Sequence, residues 1–209
     1  MAKAVRFFPR QTTLVVTATI AAALFCQEAS AQGWLAGASG GTTTQYDYSV
    51  GGPIAVSDDS DTGYRAFGGY LFMPVVGAVV SYVDLGTMKY DGPAFGGFTD
   101  SLDADAIDIS VIAGWAPGSQ DHLSFFGTVG MFHFNQDVHY VDDSGVYDYS
   151  DSGWSFSYGA GAEYTIGAEA KWGVHLNYQM FTGVGDEDNS GHEYDRSLIA
   201  VGFDYRFGK

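Results

Sequence analysis

The chain has 209 residues, of which 25 are acidic and nine are basic, so that its formal net charge at pH 7 is −16. This balance argues against binding to the phosphates of nucleic acids, which requires clustered lysine and arginine. The single cysteine, Cys26, lies in the leader described next. The mature chain is therefore expected to have no disulfide, no thiolate nucleophile and no cysteine metal ligand.

The N-terminal residues are typical of a secretory signal peptide. Three cations precede the apolar run Thr12–Phe25, and the small residues Ala29–Ala31 then offer a cleavage site. A membrane-spanning helix needs about 20 apolar residues, which is more than this run provides. A retained membrane anchor and a lipoprotein signal at Cys26 are the alternatives, although the bulky residue before the cysteine disfavours the lipoprotein. We predict a cleaved signal peptide at residues 1–31 and one exported domain at residues 32–209.

After the leader, segments rich in aromatic residues and glycine alternate in polarity from one residue to the next. Such alternation is typical of β-strands, because successive side chains leave a strand on opposite faces. Each segment is close to the length of about 9–11 residues that a tilted strand needs to cross a bilayer. The eight predicted strands are Gly33–Thr43, Thr62–Met73, Val75–Leu85, Asp105–Trp115, His122–Phe134, Trp154–Ile166, Ala170–Phe181 and Ser197–Phe207.

The connections between these strands alternate between short and long. Pro74, residues 116–121 and residues 167–170 make tight turns, whereas the other four connections are long and acidic. Long structureless loops are uncommon in compact soluble domains. An even number of strands, with short turns at one rim and long loops at the other, is typical of an outer-membrane β-barrel. We predict an all-β fold: one eight-stranded antiparallel up-and-down barrel in the outer membrane of a Gram-negative bacterium, with its long loops outside.

The segment Trp154–Gly167 indicates which face of a strand meets lipid. Its aromatic and aliphatic residues occupy one set of alternate positions, and small residues with Glu163 occupy the other. The interior of an eight-stranded barrel is just wide enough for side chains to fill it. The small face is therefore predicted to line the lumen and the aromatic face to contact lipid. Four aromatic residues are predicted to lie at the membrane interfaces, where amphipathic rings collect: Trp34, Trp154, Tyr164 and Trp172.

Four segments resemble the transmembrane domain of the outer membrane protein A family: Ala66–Gly86, Ala113–Phe132, Gly159–Met180 and Leu198–Lys209. The resemblance covers essentially the whole mature chain and implies a barrel integral to the outer membrane. Members of that family often carry a periplasmic peptidoglycan-binding domain after the barrel. Because this chain stops at Lys209, attachment to the cell wall is not expected.

The same family holds a lumenal ring of paired acids and bases inside its barrel. Glu163 matches one acid of that ring, whereas His175 stands where an arginine is expected and Val79 where a glutamate is expected. Five residues are predicted to form a lumenal polar network in this chain: Glu163, Lys171, His175, Asp204 and Arg206.

Pairing within this network is expected, because a buried charge is costly unless it is paired. Counting back from a turn at Gly167–Glu169 places Glu163 and Lys171 opposite each other or one pair apart, so that their side chains meet across the strands. A salt-bridged plug and a proton or ion path are the two interpretations of such a network.

The last strand resembles a signal for barrel assembly. Gly202 is followed by Tyr205 and Phe207, a pattern similar to the C-terminal motif that the barrel-assembly machinery recognises. The alternative is that these aromatic residues belong to an ordinary lipid-facing strand.

The acidic loops raise the question of a metal site, most of all at Asp186–Asp195. Oxygen-rich clusters suit Ca²⁺ or Mg²⁺, but the spacing does not match the D-x-[DN]-x-[DN]-G loop, so only diffuse association with divalent cations is expected. Neither G-x-S-x-G nor H-E-x-x-H occurs, and the five histidines are scattered along the chain. We therefore expect no catalytic residues, no metal ligands and no cofactor.

Three classes of function compete for such a chain. They are a structural or adhesive surface barrel, a small-solute or ion pore, and a lipid A-modifying enzyme, of which the enzyme is the weakest. The expected partners are outer-membrane lipids and lipopolysaccharide, the barrel-assembly machinery during insertion, and a host or matrix ligand at the loops. No nucleic-acid partner is expected, and the protein is expected to be a monomer.

Overall fold

The computed structural model describes residues 33–46, 55–58, 60–73, 76–92, 98–117, 122–142, 145–167, 171–185 and 194–207. The predicted signal peptide lies outside these ranges. Within them no helix is long and apolar enough to cross a membrane. The strands are β1 (Gly33–Tyr46), β2 (Ala55–Asp58), β3 (Ser60–Met73), β4 (Val76–Gly92), β5 (Phe98–Trp115), β6 (Leu123–Asp142), β7 (Gly145–Ile166), β8 (Trp172–Val184) and β9 (Tyr194–Phe207).

Neighbouring strands pair in antiparallel fashion, and the sheet closes on itself. β1 pairs with β3 on one side and with β9 on the other, and the ladders from β3 to β9 follow chain order. β2 pairs with β4 beyond the end of β3, so it extends the position of β3 and adds no further strand to the barrel wall. The predicted eight-stranded antiparallel barrel is confirmed, and its closure satisfies the backbone groups that hydrocarbon cannot hydrogen-bond.

Several strands are longer at the long-loop end than the sequence predicts. The prediction ends β6 at Phe134 and begins β7 at Trp154, whereas the ladder between them runs on to the pair Asp142 and Gly145. The prediction of a loop there is wrong. The acidic residues of this segment suggested a loop, but a strand that projects beyond the barrel wall can expose charged side chains to water.

A β-bulge near the same rim shapes the lumen. The register of β4 against β5 shifts between Asp84 and Thr87, and Gly86 adopts a φ of 70°, a region that glycine enters without steric cost. The Thr87 N–H donates to Asp61 Oδ2 at 2.7 Å. The bulge leaves the Gly86 carbonyl to accept a hydrogen bond from Arg196 Nη1 at 3.2 Å, and a bulge commonly redirects a backbone group in this way.

The two faces of β7 are distributed as predicted. Trp154 is 59% exposed and Tyr164 54% exposed on the outside of the barrel, whereas Ser157 and Thr165 are 1% and 4% exposed on the inside. The small face therefore lines the lumen. The outer surface is aromatic and aliphatic, as contact with hydrocarbon requires.

Candidate functional site

The polar network at the short-turn end of the lumen is built by β7, β8 and β9. Arg206 on β9 forms an ion pair with Glu163 on β7. Its Nε lies 4.0 Å from Asp204 Oδ2, and Asp204 Oδ1 lies 3.3 Å from His175 Nδ1. The structure thus brings together four of the five residues predicted for the network.

The predicted register between Glu163 and Lys171 is wrong. His175 is the residue opposite Glu163, and the β7–β8 ladder closes at the pair Ile166 and Trp172. Lys171 lies beyond that closing pair, where its carbonyl accepts a hydrogen bond from the Arg206 N–H at 2.8 Å. The cation that pairs with Glu163 is therefore Arg206.

Two glycines make room for the pair of His175 and Asp204. A Cβ on Gly173 would lie 2.4 Å from Asp204 Oδ1, and a Cβ on Gly202 would lie 2.6 Å from His175 Nε2 and 2.4 Å from the Ala38 carbonyl oxygen. Real Cβ atoms do not approach other atoms so closely. Gly202, which the sequence suggests as part of an assembly signal, therefore has a packing role, and its recognition by the assembly machinery stays a prediction.

The aromatic residues of that motif lie toward the outside of the barrel. Phe207 is 50% exposed, and Tyr205 packs edge-on against both Trp172 and Phe207, with ring centroids 4.7 and 4.8 Å apart. Such edge-to-face contacts stabilise neighbouring rings. This arrangement fits the lipid-facing interpretation and the assembly signal equally.

A second polar layer, which the sequence reasoning missed, crosses the middle of the lumen. Arg65 on β3 donates from Nη1 to Gln179 Oε1 at 2.9 Å and from Nε to Ser81 Oγ at 2.9 Å. Its Nη2 lies 4.0 Å from Asp108 Oδ2, and Asp108 also accepts hydrogen bonds from Ser157 and from Gln179. Arg65 and Asp108 are 9% and 0% exposed, so this pair is more deeply buried than the pair of Glu163 and Arg206.

An arginine and an aspartate in alternating strands are the signal that could have revealed this layer. Arg65 stands on the same face as Phe67 and Leu71 in β3, and Asp108 stands between Ala106 and Ser110 on the inner face of β5. A charged residue among inward-facing neighbours needs a partner.

A cavity of about 60 Å³ separates the two polar layers. Arg65 borders it together with Glu163, His175 and Arg206, and Val79 and other apolar residues form much of its wall. Since one water needs about 10–15 Å³ of such volume, the cavity has room for a few waters. Val79 is thus a lumenal residue, as the resemblance suggests, but it contributes an apolar side chain where a glutamate is expected.

An apolar layer fills the lumen on the long-loop side of Arg65 and Asp108. Its residues are at most 3% exposed, and Phe132 and Phe181 contact each other edge-on with ring centroids 5.2 Å apart. The layer draws residues from five strands: Val83, Leu85, Ala104, Ala106, Phe132, Phe134, Phe181, Val184, Leu198 and Ala200. The sequence predicts mainly small and polar residues in the lumen. The layer forms because β6 and β8 direct aromatic residues inward at this level.

Arg196 lies close to the apolar layer and is fully buried. Its Nη1 and Nη2 donate to the carbonyls of Gly86 and Leu102, at 3.2 and 3.4 Å. Backbone carbonyls therefore take up part of the hydrogen-bonding capacity of a buried guanidinium, which has five N–H donors to satisfy.

The four predicted interface aromatics lie on the outside of the barrel. Trp34, Trp154, Tyr164 and Trp172 are 54–65% exposed. Trp34, Tyr164 and Trp172 are near the short turns, and Trp154 is ten residues from Tyr164 along β7. Their depth in the membrane stays a prediction.

The candidate metal and catalytic residues do not form a centre in the described part of the chain. No group of three or more histidine, cysteine, aspartate or glutamate side chains there could hold a metal ion, and residues 186–193 of the acidic loop lie outside it. His122 contacts the Thr165 carbonyl, His139 contacts Asp148, and His133 packs against Trp154. These histidines are spread over the barrel.

Removing one partner of the Glu163–Arg206 pair is expected to destabilise the barrel moderately. Arg206 is 26% exposed, so water compensates part of the lost interaction, and Glu163→Gln should lower the free energy of unfolding by about 1–2 kcal/mol. Urea titration of the protein in lipid vesicles measures this. The double variant with Arg206→Gln should lose less than the sum of the single variants.

A matched cycle provides the control for that measurement. Asp148 is 74% exposed in the β6–β7 hairpin, at the opposite end of the barrel from Arg206. The effects of Asp148→Asn and Arg206→Gln should therefore add. Strict additivity of the Glu163 and Arg206 variants as well would show that these two residues do not interact.

Residues 17–207 match the family model described as the outer membrane protein β-barrel domain. Similar curated proteins include outer membrane protein A of Escherichia coli O157:H7, which is 28% identical over 177 residues, and that of Salmonella typhi, which is 29% identical over 177 residues. These alignments cover 84% of this chain but 48% and 49% of the relatives. The chain thus spans about half the length of the curated relatives that it matches.

Solved structures with the same fold come from other bacteria. Neisserial surface protein A (NspA) superposes with a TM-score of 0.55 at 15% identity, covering 83% of this chain and 97% of that chain. The outer membrane protein OprG of Pseudomonas aeruginosa superposes with a TM-score of 0.52 at 12% identity, covering 85% and 97%. At these identities the likeness concerns the fold alone. Together with the family match, these observations show that the chain belongs to the outer membrane protein β-barrel family and is an integral protein of the outer membrane.

Proposed function

We propose that this protein is a non-conducting structural barrel whose long acidic loops form a contact surface outside the cell. The observation that carries the proposal is the apolar layer across the lumen, in which Phe132 and Phe181 are fully buried and Phe134 is 3% exposed. An ion that entered this layer would lose its hydration shell without gaining polar ligands, which costs several kcal/mol or more. Hydrophobic constrictions close channels for this reason.

The polar groups on the short-turn side of the apolar layer support the same proposal. Glu163 and Arg206 hold each other near the short-turn rim, and Arg65 is held by Ser81, Gln179 and Asp108 above the cavity. Fixed pairs of this kind cross-link neighbouring and distant strands through the lumen. A small pore is the competing function, and it requires a route past both layers.

Conductance in planar bilayers tests the proposal. The wild-type protein should give no steady conductance above that of protein-free membranes. The double variant Phe132→Ala with Phe181→Ala empties the centre of the apolar layer and should introduce channel openings. Phe156→Ala is the matched control, because Phe156 is 37% exposed on the outer face of β7 and its removal leaves the lumen unchanged.

A steady wild-type conductance that the double variant leaves unaltered would contradict the proposal and favour the pore. Unfolding of the variants must be excluded first. Folded barrels migrate differently on gels when the sample is not heated, so that each variant should show the same shift between unheated and heated samples as the wild type.

The outer surface supports lipids and lipopolysaccharide as the surrounding partners. Trp154 and Tyr164 are separated by ten residues of β7, which at about 3.3 Å per residue and a tilt of about 40° corresponds to an apolar band roughly 25 Å tall. Rings at these two levels would anchor the barrel at both interfaces. Recognition of the last strand by the assembly machinery, contact of the loops with a host or matrix ligand, and a monomeric, non-catalytic state complete the proposal.

A further inference from the structure

The hairpin of β6 and β7 projects past its neighbour β8. The β6–β7 ladder continues to the pair Asp142 and Gly145, whereas the β7–β8 ladder ends at the pair Ser157 and Phe181. Among the residues that the structure describes, none forms a ladder with Ser150–Ser155 on the β8 side of β7. This stretch, called here the β7 edge, is a strand edge of the type that can template the pairing of another strand.

Two hydrogen bonds show which backbone groups of β7 point away from β6, toward the side where the β7 edge is unpaired. The Thr165 N–H donates to the His122 carbonyl on the β6 side, whereas the Phe156 carbonyl accepts from the Thr182 hydroxyl on the β8 side at 2.8 Å. Alternate residues of a strand direct their N–H and C=O groups to the same side. Even-numbered residues of β7 therefore direct their backbone N–H and C=O groups toward the open side. Along the β7 edge these residues are Ser150, Ser152 and Trp154.

Asp151 lies at the centre of this edge and is incompletely satisfied. Its Oδ1 accepts a hydrogen bond from the Ser152 N–H at 2.8 Å. The residue is only 8% exposed, and its Oδ2 is buried without a hydrogen-bond partner. A buried carboxylate oxygen in this state requires a donor, and a cationic donor gives the strongest hydrogen bond.

The charge of this part of the chain specifies the kind of donor. No lysine or arginine occurs between Lys89 and Lys171, while the β6–β7 hairpin carries Asp137, Asp148 and Asp151 among its acids. Asp148 is 74% exposed beside His139. A neutral incoming strand would leave the Asp151 carboxylate without a counter-charge, and an acidic strand would repel it. A strand with lysine or arginine would supply the missing donor to Asp151 Oδ2.

We propose that the β7 edge is a docking site for an extended, basic peptide segment, which adds to the sheet as a strand and places a lysine or arginine against Asp151. Main-chain hydrogen bonds to Ser150, to Trp154 and to the Ser152 carbonyl would supply affinity, since the Ser152 N–H is held by Asp151 Oδ1. The cation on the inner face would supply selectivity, as in other cases of strand addition. The proposal goes beyond the structural role of the barrel, because a non-conducting barrel could lack this site.

Peptide binding to the whole protein in phosphatidylcholine nanodiscs tests the proposal. The probe is a fluorescent eight-residue peptide that alternates lysine and valine. A peptide that alternates lysine and proline carries the same charge but cannot add to a sheet, and a peptide that alternates glutamate and valine can add to a sheet but carries the opposite charge. We expect the lysine–valine peptide to bind at least about tenfold more tightly than either control, since backbone pairing and charge are both required.

Variants of the hairpin locate the site. Asp151→Asn should weaken the lysine–valine peptide by about tenfold or more, because the ion pair is lost at a buried position. Asp137→Asn removes the same charge from an exposed position of β6 and should change binding less than about threefold. Ser150→Pro removes an N–H that faces the open edge without removing a bond to β6 and should abolish binding.

Two results would overturn the proposal. Equal binding of the lysine–valine and lysine–proline peptides would mean that only charge attracts them. Equal effects of Asp151→Asn and Asp137→Asn would mean that the peptide does not meet Asp151, and this conclusion holds even where Ser150→Pro fails to fold. Conductance is measured on the same nanodisc preparations after transfer to planar bilayers. Peptide binding then tests the docking site, and conductance tests the proposed non-conducting function, so that either proposal can fail without the other.

Discussion

Replacing Asp108 by alanine should lower the free energy of unfolding by about 3–5 kcal/mol, the cost of breaking a buried ion pair from one side. Asp108 is fully buried and Arg65 is 9% exposed. Without the carboxylate, the guanidinium of Arg65 keeps Ser81 and Gln179 as partners but loses its nearest counter-charge. Ser157 and Gln179 also lose the acceptor that Asp108 provides. Urea titration from lipid vesicles, followed by tryptophan fluorescence, measures the loss.

A second variant distinguishes charge from packing as the cause of that loss. Asp108→Ala combined with Arg65→Met removes both charges and should recover part of the stability, because an apolar replacement of a buried ion pair is often tolerated. Asp148→Ala serves as the control, since Asp148 is 74% exposed and its removal should cost at most about 1 kcal/mol. Equal losses for Asp108→Ala and Asp148→Ala would show that the lumenal pair contributes nothing.

The barrel itself could be predicted from local sequence patterns. Alternation of aromatic and small residues identifies each strand and its lipid face, and the exposures of Trp154 and Ser157 agree with it. The alternation of short and long connections fixes the antiparallel order. The projecting part of β6 and β7 could not be predicted in this way, because residues 146–150 of β7 are exposed on both faces of the strand and the alternation of apolar and polar residues is lost there.

The partners inside the lumen could be predicted only in part. Glu163, His175, Asp204 and Arg206 are close together because consecutive strands carry them, which a reading of hairpins can anticipate. The register was wrong because residues 167–171 separate the closing pair of Ile166 and Trp172, two more than the turn assumed from the sequence. A slip of two residues preserves the face but changes the partner.

The pairing of Arg65 with Asp108 depends on closure of the whole barrel. β3 and β5 are not neighbours in the sheet, and Gln179, which joins both side chains, comes from β8. Contacts across a lumen are set by the diameter of the barrel and the stagger of its strands. Neither quantity can be read from the spacing of charged residues along the chain.

A charge placed on the middle of the lipid face should destabilise the protein strongly. Ala160 is exposed on the outer face of β7, between Trp154 and Tyr164, and is paired with Gly127 and Tyr178. Ala160→Arg should therefore lower the free energy of unfolding by about 2–4 kcal/mol, the cost of an arginine near the bilayer midplane. Urea titration from phosphatidylcholine vesicles measures this loss.

Depth is the variable that the control must change, since burial against protein could cause a similar loss. Ile166→Arg places the same side chain on the same face of β7 at the short-turn rim, where Ile166 is 49% exposed, and it should cost only about 0–1 kcal/mol. A lumenal control at Gly161 is unsuitable, because its Cβ would lie 2.5 Å from Phe126 Cζ and 2.6 Å from the Leu176 carbonyl oxygen. Equal losses at Ala160 and Ile166 would contradict a membrane band bounded by Trp154 and Tyr164, because the energy of a charge in lipid falls steeply toward the interfaces.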